Sequence, residues 1–145
     1  MAQLTRDELI ATLANVLEQR PEVLEAYLFG SHAVGRAGPL SDVDVAVFLG
    51  PLSGSEPPFG HAADLATDLM AAVPGLAVDV VVLNQAPPLL YHRVLRDGVR
   101  ILSCDLRATT TREGRALSRY CDFVPHLRKI DAAQARRIAE GRFGR

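Results

Sequence analysis

The sequence predicts the α/β class, in its α+β form, on three observations. Valine-rich apolar runs of strand length recur, helical repeats separate them, and glycine or proline stands at most of the joins. The chain has 145 residues, 48% hydrophobic and 23% charged, which is enough for one domain with a substantial core.

Thr5-Arg6-Asp7-Glu8 has the form of a capping box. Leu9, Ile10, Leu13, Val16 and Leu17 recur behind it at helical spacing, so a first helix is expected to end before Pro21. Residues 23–30, VLEAYLFG, read as a strand closed by Gly30. Gly35, Gly38 and Pro39 keep any helix within residues 31–41 short and turn the rest into loop. The second strand is VDVAVFL, 43–49, whose valines and Phe48 suit a pleated surface while its Asp residue does not.

Residues 50–60, GPLSGSEPPFG, are expected to form a surface connection. Residues 61–73 read as a helix with Leu65, Leu69 and Met70 on one side, stopped by Pro74-Gly75. LAVDVVVLN, 76–84, is a third strand carrying Asp79. LLYHRVLRDG, 89–98, reads as a short helix with Gly98 just past its end, and VRIL, 99–102, as a fourth strand. The remainder reads as two helices, about 105–122 and 127–140, parted near Pro125. This division gives a core over residues 1–104 and a C-terminal helical extension over residues 105–145.

The net charge of −1 conceals an asymmetry, −8 over residues 1–92 against +7 over residues 93–145. Arg107, Arg112, Arg115, Arg119, Arg128, Arg136 and Arg137 recur at intervals that could place several on one helical face, a surface for a partner protein or, as the less favoured alternative, RNA. Cys104 and Cys121 form no CxxC and no disulfide framework, which favours a reducing cytoplasm. The first residues lack the apolar core of a signal peptide, and no apolar run approaches transmembrane length, so no membrane partner is expected.

The acids inside the strands carry the chemistry. Side chains two apart on a strand share a face, at roughly 7 Å between Cα atoms. Asp42 and Asp44 therefore project together, and two such charges repel unless a cation lies between them. A hard ion such as Mg²⁺ takes oxygen ligands and commonly bridges carboxylates and substrate phosphates. Asp79, in a comparable strand, is placed to join the pair, and three converging acids suit a two-metal site. An Asp-x-Asp alone is more often a solvated strand edge; the glycine-serine turn before it changes that reading. Gly30 lets backbone approach a ligand closely, Ser31 offers a hydroxyl near amides that favour phosphate, and Arg36 is near enough to pair with a triphosphate oxygen. A phosphate cradle followed by metal carboxylates suits attack on the α-phosphorus of a nucleoside triphosphate.

Gly30-Ser31, ten residues, then Asp42-Val43-Asp44 resembles the GSx10DxD signature of the DNA polymerase beta nucleotidyltransferase superfamily. VDVVVLN around Asp79 resembles the strand bearing that family's third acid, and Gly35-Arg36 with YHRVLRDGVRIL (91–102) is similar to the minimal nucleotidyltransferases within it. The resemblance implies a nucleotidyltransferase fold, a small mixed β-sheet flanked by helices. It implies that Asp42, Asp44 and Asp79 hold two Mg²⁺ ions and that Asp79 helps deprotonate the acceptor hydroxyl. Gly30 and Ser31 would bind the β- and γ-phosphates of ATP. Many minimal nucleotidyltransferases are antitoxins paired with a helical HEPN ribonuclease toxin, and some transfer AMP to a tyrosine of that toxin; the same role, with a HEPN toxin as partner, is expected here.

Competing readings are weaker. A binding-only antitoxin would not need all three acids. A small-molecule nucleotidyltransferase of the aminoglycoside type usually carries an acceptor domain, for which the residues after Leu102 leave little room. Gly30 to Ala37 echoes a P-loop but lacks its Lys and following Ser or Thr. His61, His92 and His126 show no zinc spacing with either cysteine, and His32 reads as a surface histidine.

Overall fold

The computed structural model describes residues 4–38, 41–51 and 57–141. Its elements run α1 (Arg6–Glu18), β1 (Val23–Phe29), β2 (Val43–Leu49), α2 (His61–Ala72), β3 (Val78–Val82), α3 (Pro88–Asp97), β4 (Val99–Ser103) and α4 (Leu106–Ala139), with a 3₁₀ turn at Leu83–Gln85. The four strands form one mixed sheet in the order β3-β2-β1-β4. β1 pairs antiparallel with β2 and with β4, while β2 and β3 are parallel because α2 carries the chain back between them. The expected α/β architecture, a small mixed sheet flanked by helices with a helical C-terminal stretch, is what the chain adopts.

Strand alternation sends successive side chains to opposite faces, and helices cover both. Val43, Val45 and Val47 of β2 pack with Leu9, Leu13 and Leu17 of α1 and Leu65 and Leu69 of α2. Ala46 of β2 faces the other way, into a second cluster with Tyr27, Leu83, Tyr91, Val94 and Ala116 under α3 and α4. The even-numbered positions of β2 therefore belong to the α3/α4 face. Arg20, just past α1, ties the end of that helix to α2 through Asp64 and Asp68 and to the approach to β1 through Glu22.

The capping box at Thr5 is formed in full: its hydroxyl accepts from the Glu8 amide at 3.1 Å and the Glu8 carboxylate accepts from the Thr5 amide at 2.9 Å. Three expectations need correction. The C-terminal stretch is one helix of 34 residues that continues through Pro125 rather than breaking there. A proline removes a single N–H from the ladder, and the alanine-, leucine- and arginine-rich turns on both sides keep their own bonds. Met70 is 40% exposed, one step off the buried Leu65 and Leu69 stripe. The third strand is shorter than residues 76–84, because the Asn84 side chain replaces backbone pairing: it accepts from the Leu49 amide at 2.9 Å and donates to the Leu49 carbonyl at 2.7 Å as the chain leaves the sheet. Of the expected connection over 50–60, residues 52–56 lie outside the described residues, as does Pro39 of the expected loop within residues 31–41. Among the described residues no helix is long and apolar enough to cross a membrane.

Candidate active site

β1 ends at Phe29 and the chain turns at Gly30, whose φ of +74° lies in the left-handed region that favours glycine. The turn that follows is short. The Ala33 and Val34 amides donate to the Gly30 carbonyl at 3.1 and 3.3 Å, and the Arg36 amide donates to the Ser31 carbonyl at 2.9 Å. Buried Ala33 anchors this turn to α1, where Arg6 Nη2 donates to its carbonyl at 2.8 Å. Ser31 is half-buried at the head of the turn, and the Arg36 side chain is exposed at its far end.

β2 then brings the acids alongside. Asp42 is exposed just before the strand begins, where the Val43 amide donates to the Ala77 carbonyl at 2.8 Å and holds the strand start against the approach to β3. Asp44 lies directly opposite Asp79 in the parallel register of β2 and β3, and opposite Phe29 in the antiparallel register with β1. Neighbouring strands stand about 4.8 Å apart, so the side chains of Asp44 and Asp79 leave the sheet side by side. Asp44 is the half-buried member. Burial first, then the charge of Asp79 and that of Asp42, raise its carboxyl above the usual carboxylate range, and His32 opposes them. The glycine turn meets this acid directly: a Cβ on Gly30 would overlap Asp44 Oδ2 and stand 3.2 Å from its Cγ.

The structure thus brings Gly30, Asp42, Asp44 and Asp79 into one patch, with Ser31 at its rim and Arg36 turned to solvent. Among the described residues no three His, Cys, Asp or Glu side chains close on a common ion position. The donor set nonetheless fits a hard divalent cation: oxygen donors only, mutually repelling charges that a cation would relieve, and a close approach of the Gly30 backbone to Asp44 that only glycine allows.

Sequence reasoning missed two features. His32, read as a surface histidine, is half-buried, and its Nε2 donates to the Ser41 carbonyl at 3.1 Å, fastening the glycine turn to the residue before Asp42. Glu25 is fully buried in β1, held by Arg112 of α4 through Nε and Nη2 at 2.6 Å each and by the Thr109 hydroxyl at 3.0 Å. An acid inside an apolar strand was the available signal for Glu25, as it was for Asp79.

Comparisons with known proteins agree with this fold. A family model described as "Polymerase beta, Nucleotidyltransferase" matches residues 11–107, more than half of the chain. No significant match was found among the curated proteins. Among solved structures, the chain is similar to a toxin-antitoxin with AMP-PNP, at 23% identity and a TM-score of 0.70 over 86% of this chain and 97% of that one. It is also similar to a chain in a complex of tri-AMPylated Shewanella oneidensis HEPN toxin with MNT antitoxin, at 21% identity and a TM-score of 0.66 over 88% and 98% of the two chains. A third, the toxin-antitoxin MntA-HepT, aligns at 23% identity and a TM-score of 0.53 over 95% and 94%.

Proposed function

The chain belongs to the polymerase beta nucleotidyltransferase family, and from that premise we propose that it is a Mg²⁺-dependent antitoxin transferring AMP from ATP to a hydroxyl, a tyrosine for preference, of a cognate HEPN toxin in the cytoplasm. The observation that carries this reading is the Asp44–Asp79 register beside the left-handed Gly30. Asp42, Asp44 and Asp79 would hold the metal. Bound there, Mg²⁺ would offset the charge developing at the α-phosphorus and lower the pKa of the acceptor hydroxyl.

The protein groups divide the remaining work. Gly30 and Ser31 seat the β- and γ-phosphates: the glycine lets backbone come close, and the Ser31 hydroxyl donates to a phosphate oxygen. Arg36, exposed on the turn, is free to swing onto the triphosphate. Asp79, more exposed than Asp44, receives the acceptor's proton. The acceptor oxygen bonds to the α-phosphorus, the bond to the bridging oxygen breaks, and pyrophosphate leaves with that electron pair. Residues 105–145 follow the core as the helical extension that presents the partner surface.

The likeness to complexes with HEPN toxins, one described as tri-AMPylated, supports a protein acceptor. The test is incubation with α-labelled ATP, Mg²⁺ and the protein encoded beside it. Label on that protein is the expected result; absence of label, with both proteins folded and mixed in excess, rejects the reading.

A further inference from the structure

The face of the sheet that presents Asp44 also bears a groove of about 920 Å³, lined by Phe48, Tyr91, Arg112, Arg115, Ser118 and Arg119 among others. Residues 44, 46 and 48 share that face, so Phe48 lies roughly 13 Å along β2 from Asp44. Arg112, Arg115 and Arg119 stand three and seven residues apart on α4 and form one stripe along the groove wall. Their situations differ. Arg112 is committed to Glu25 and lies over the Phe48 ring, 4.9 Å from its centroid. Arg115 and Arg119 are exposed and form no ion pair with any described residue. Two neighbouring acids are already engaged, Glu25 by Arg112, and Glu113 by Arg100 and the Tyr27 hydroxyl.

Tyr91 lines the same groove; it is 2% exposed, and its hydroxyl is buried with no hydrogen-bond partner among the described residues. Buried polar groups are ordinarily satisfied, so this one requires a partner. Burial and then the charge of Glu25 push its phenol up to about 12, against the pull of Arg112 and Arg119, so it remains a hydroxyl able to donate at any physiological pH. Two guanidiniums one helical turn apart, with a buried hydroxyl donor lining the same groove, match the several oxygens of a phosphoryl group better than a single carboxylate.

We propose that this groove is a second anion site, distinct from the triphosphate seat, that binds the phosphoryl group of a nucleotide through Arg115, Arg119 and the Tyr91 hydroxyl. The nucleotide comes either free, as a monophosphate, or already attached to the acceptor whose hydroxyl is offered at Asp44. The second source rests on the proposed transfer activity; the site itself does not.

Titration of the full-length protein in EDTA separates these possibilities, using AMP, adenosine, and a tyrosine peptide carrying AMP as probes. AMP or the AMP-peptide should bind where adenosine does not, and with unchanged affinity in the Asp42→Asn/Asp44→Asn protein. Arg115→Ala/Arg119→Ala should weaken that binding roughly tenfold or more, and Tyr91→Phe by a smaller factor. Both changes leave the helix and the ring packing in place, so thermal melting should remain near that of the parent. Binding of the AMP-peptide alone assigns the groove to the modified acceptor; binding of AMP alone assigns it to free nucleotide. Affinity unchanged by the arginine substitutions, or abolished in Asp42→Asn/Asp44→Asn, overturns the proposal. Loss of label transfer with groove binding intact would reject the enzyme reading and leave the groove standing.

Discussion

Gly30 and Asp44 occupy one shared space: the Asp44 carboxylate fills the volume a side chain on residue 30 would need, and the backbone at Gly30 is left-handed. Gly30→Ala therefore meets two penalties, the positive φ and the overlap with Oδ2. We expect a loss of about 1–3 kcal/mol in folding stability, with label transfer abolished. Pairing it with Asp44→Ala should recover the part of the stability loss due to overlap, leaving the φ penalty, in a double-mutant cycle read by thermal unfolding.

Asp44 carries a cost in the metal-free fold, since burial and its two acidic neighbours raise its carboxyl. A carboxyl raised on folding contributes stability below its unfolded value and loses it as pH rises through the folded value. In EDTA the wild type should therefore gain stability as pH falls through that interval, apart from the response of other groups. Asp44→Asn should flatten that part of the profile and raise the neutral-pH melting temperature slightly. Transfer should disappear in the same variant. A melting temperature lowered by Asp44→Asn in EDTA would show that the acid is held by something other than its repelling neighbours.

Arg112 neutralises a fully buried Glu25. Removing it by Arg112→Ala strands that charge and should cost about 3–5 kcal/mol in denaturant unfolding. Replacing both residues by leucine should restore much of the loss, since it is the unpaired charge rather than the missing pair that is expensive.

α4 buries only Thr109 and Ala116, both in its first turns, while the stretch beyond residue 127 is exposed. If the proposed HEPN toxin is its partner, deleting residues 126–145 should weaken binding of that toxin by more than tenfold while changing ATP affinity less than about twofold, both read by calorimetry. Equal loss of both would make this stretch part of the fold.

The sequence carried more of the first strand pair than of the rest. β2 was readable to the residue because Val43 to Leu49 is bounded by Asp42 and Gly50-Pro51, and Gly30-Ser31 marked the turn before it. That Asp79 joins the pair was expected, but its register directly opposite Asp44 was not readable, because a parallel register depends on how α2 packs between the two strands, which no local pattern encodes. Glu25 escaped notice for a related reason. β1 is covered on both faces and its pairing shifts between Val23 and Glu25, so alternation could not say which way the acid points. The break expected at Pro125 failed because a single missing donor does not outweigh helix-forming flanks.

The account turns on Asp42, Asp44 and Asp79 gathering a divalent cation beside Gly30 and Ser31. Mn²⁺-induced line broadening in amide NMR spectra, recorded with a non-hydrolysable ATP analogue, tests this most directly. Broadening should centre on the amides of residues 30, 31, 42–44 and 79 and vanish in Asp44→Asn. Broadening centred elsewhere, or persisting unchanged in that variant, would contradict it.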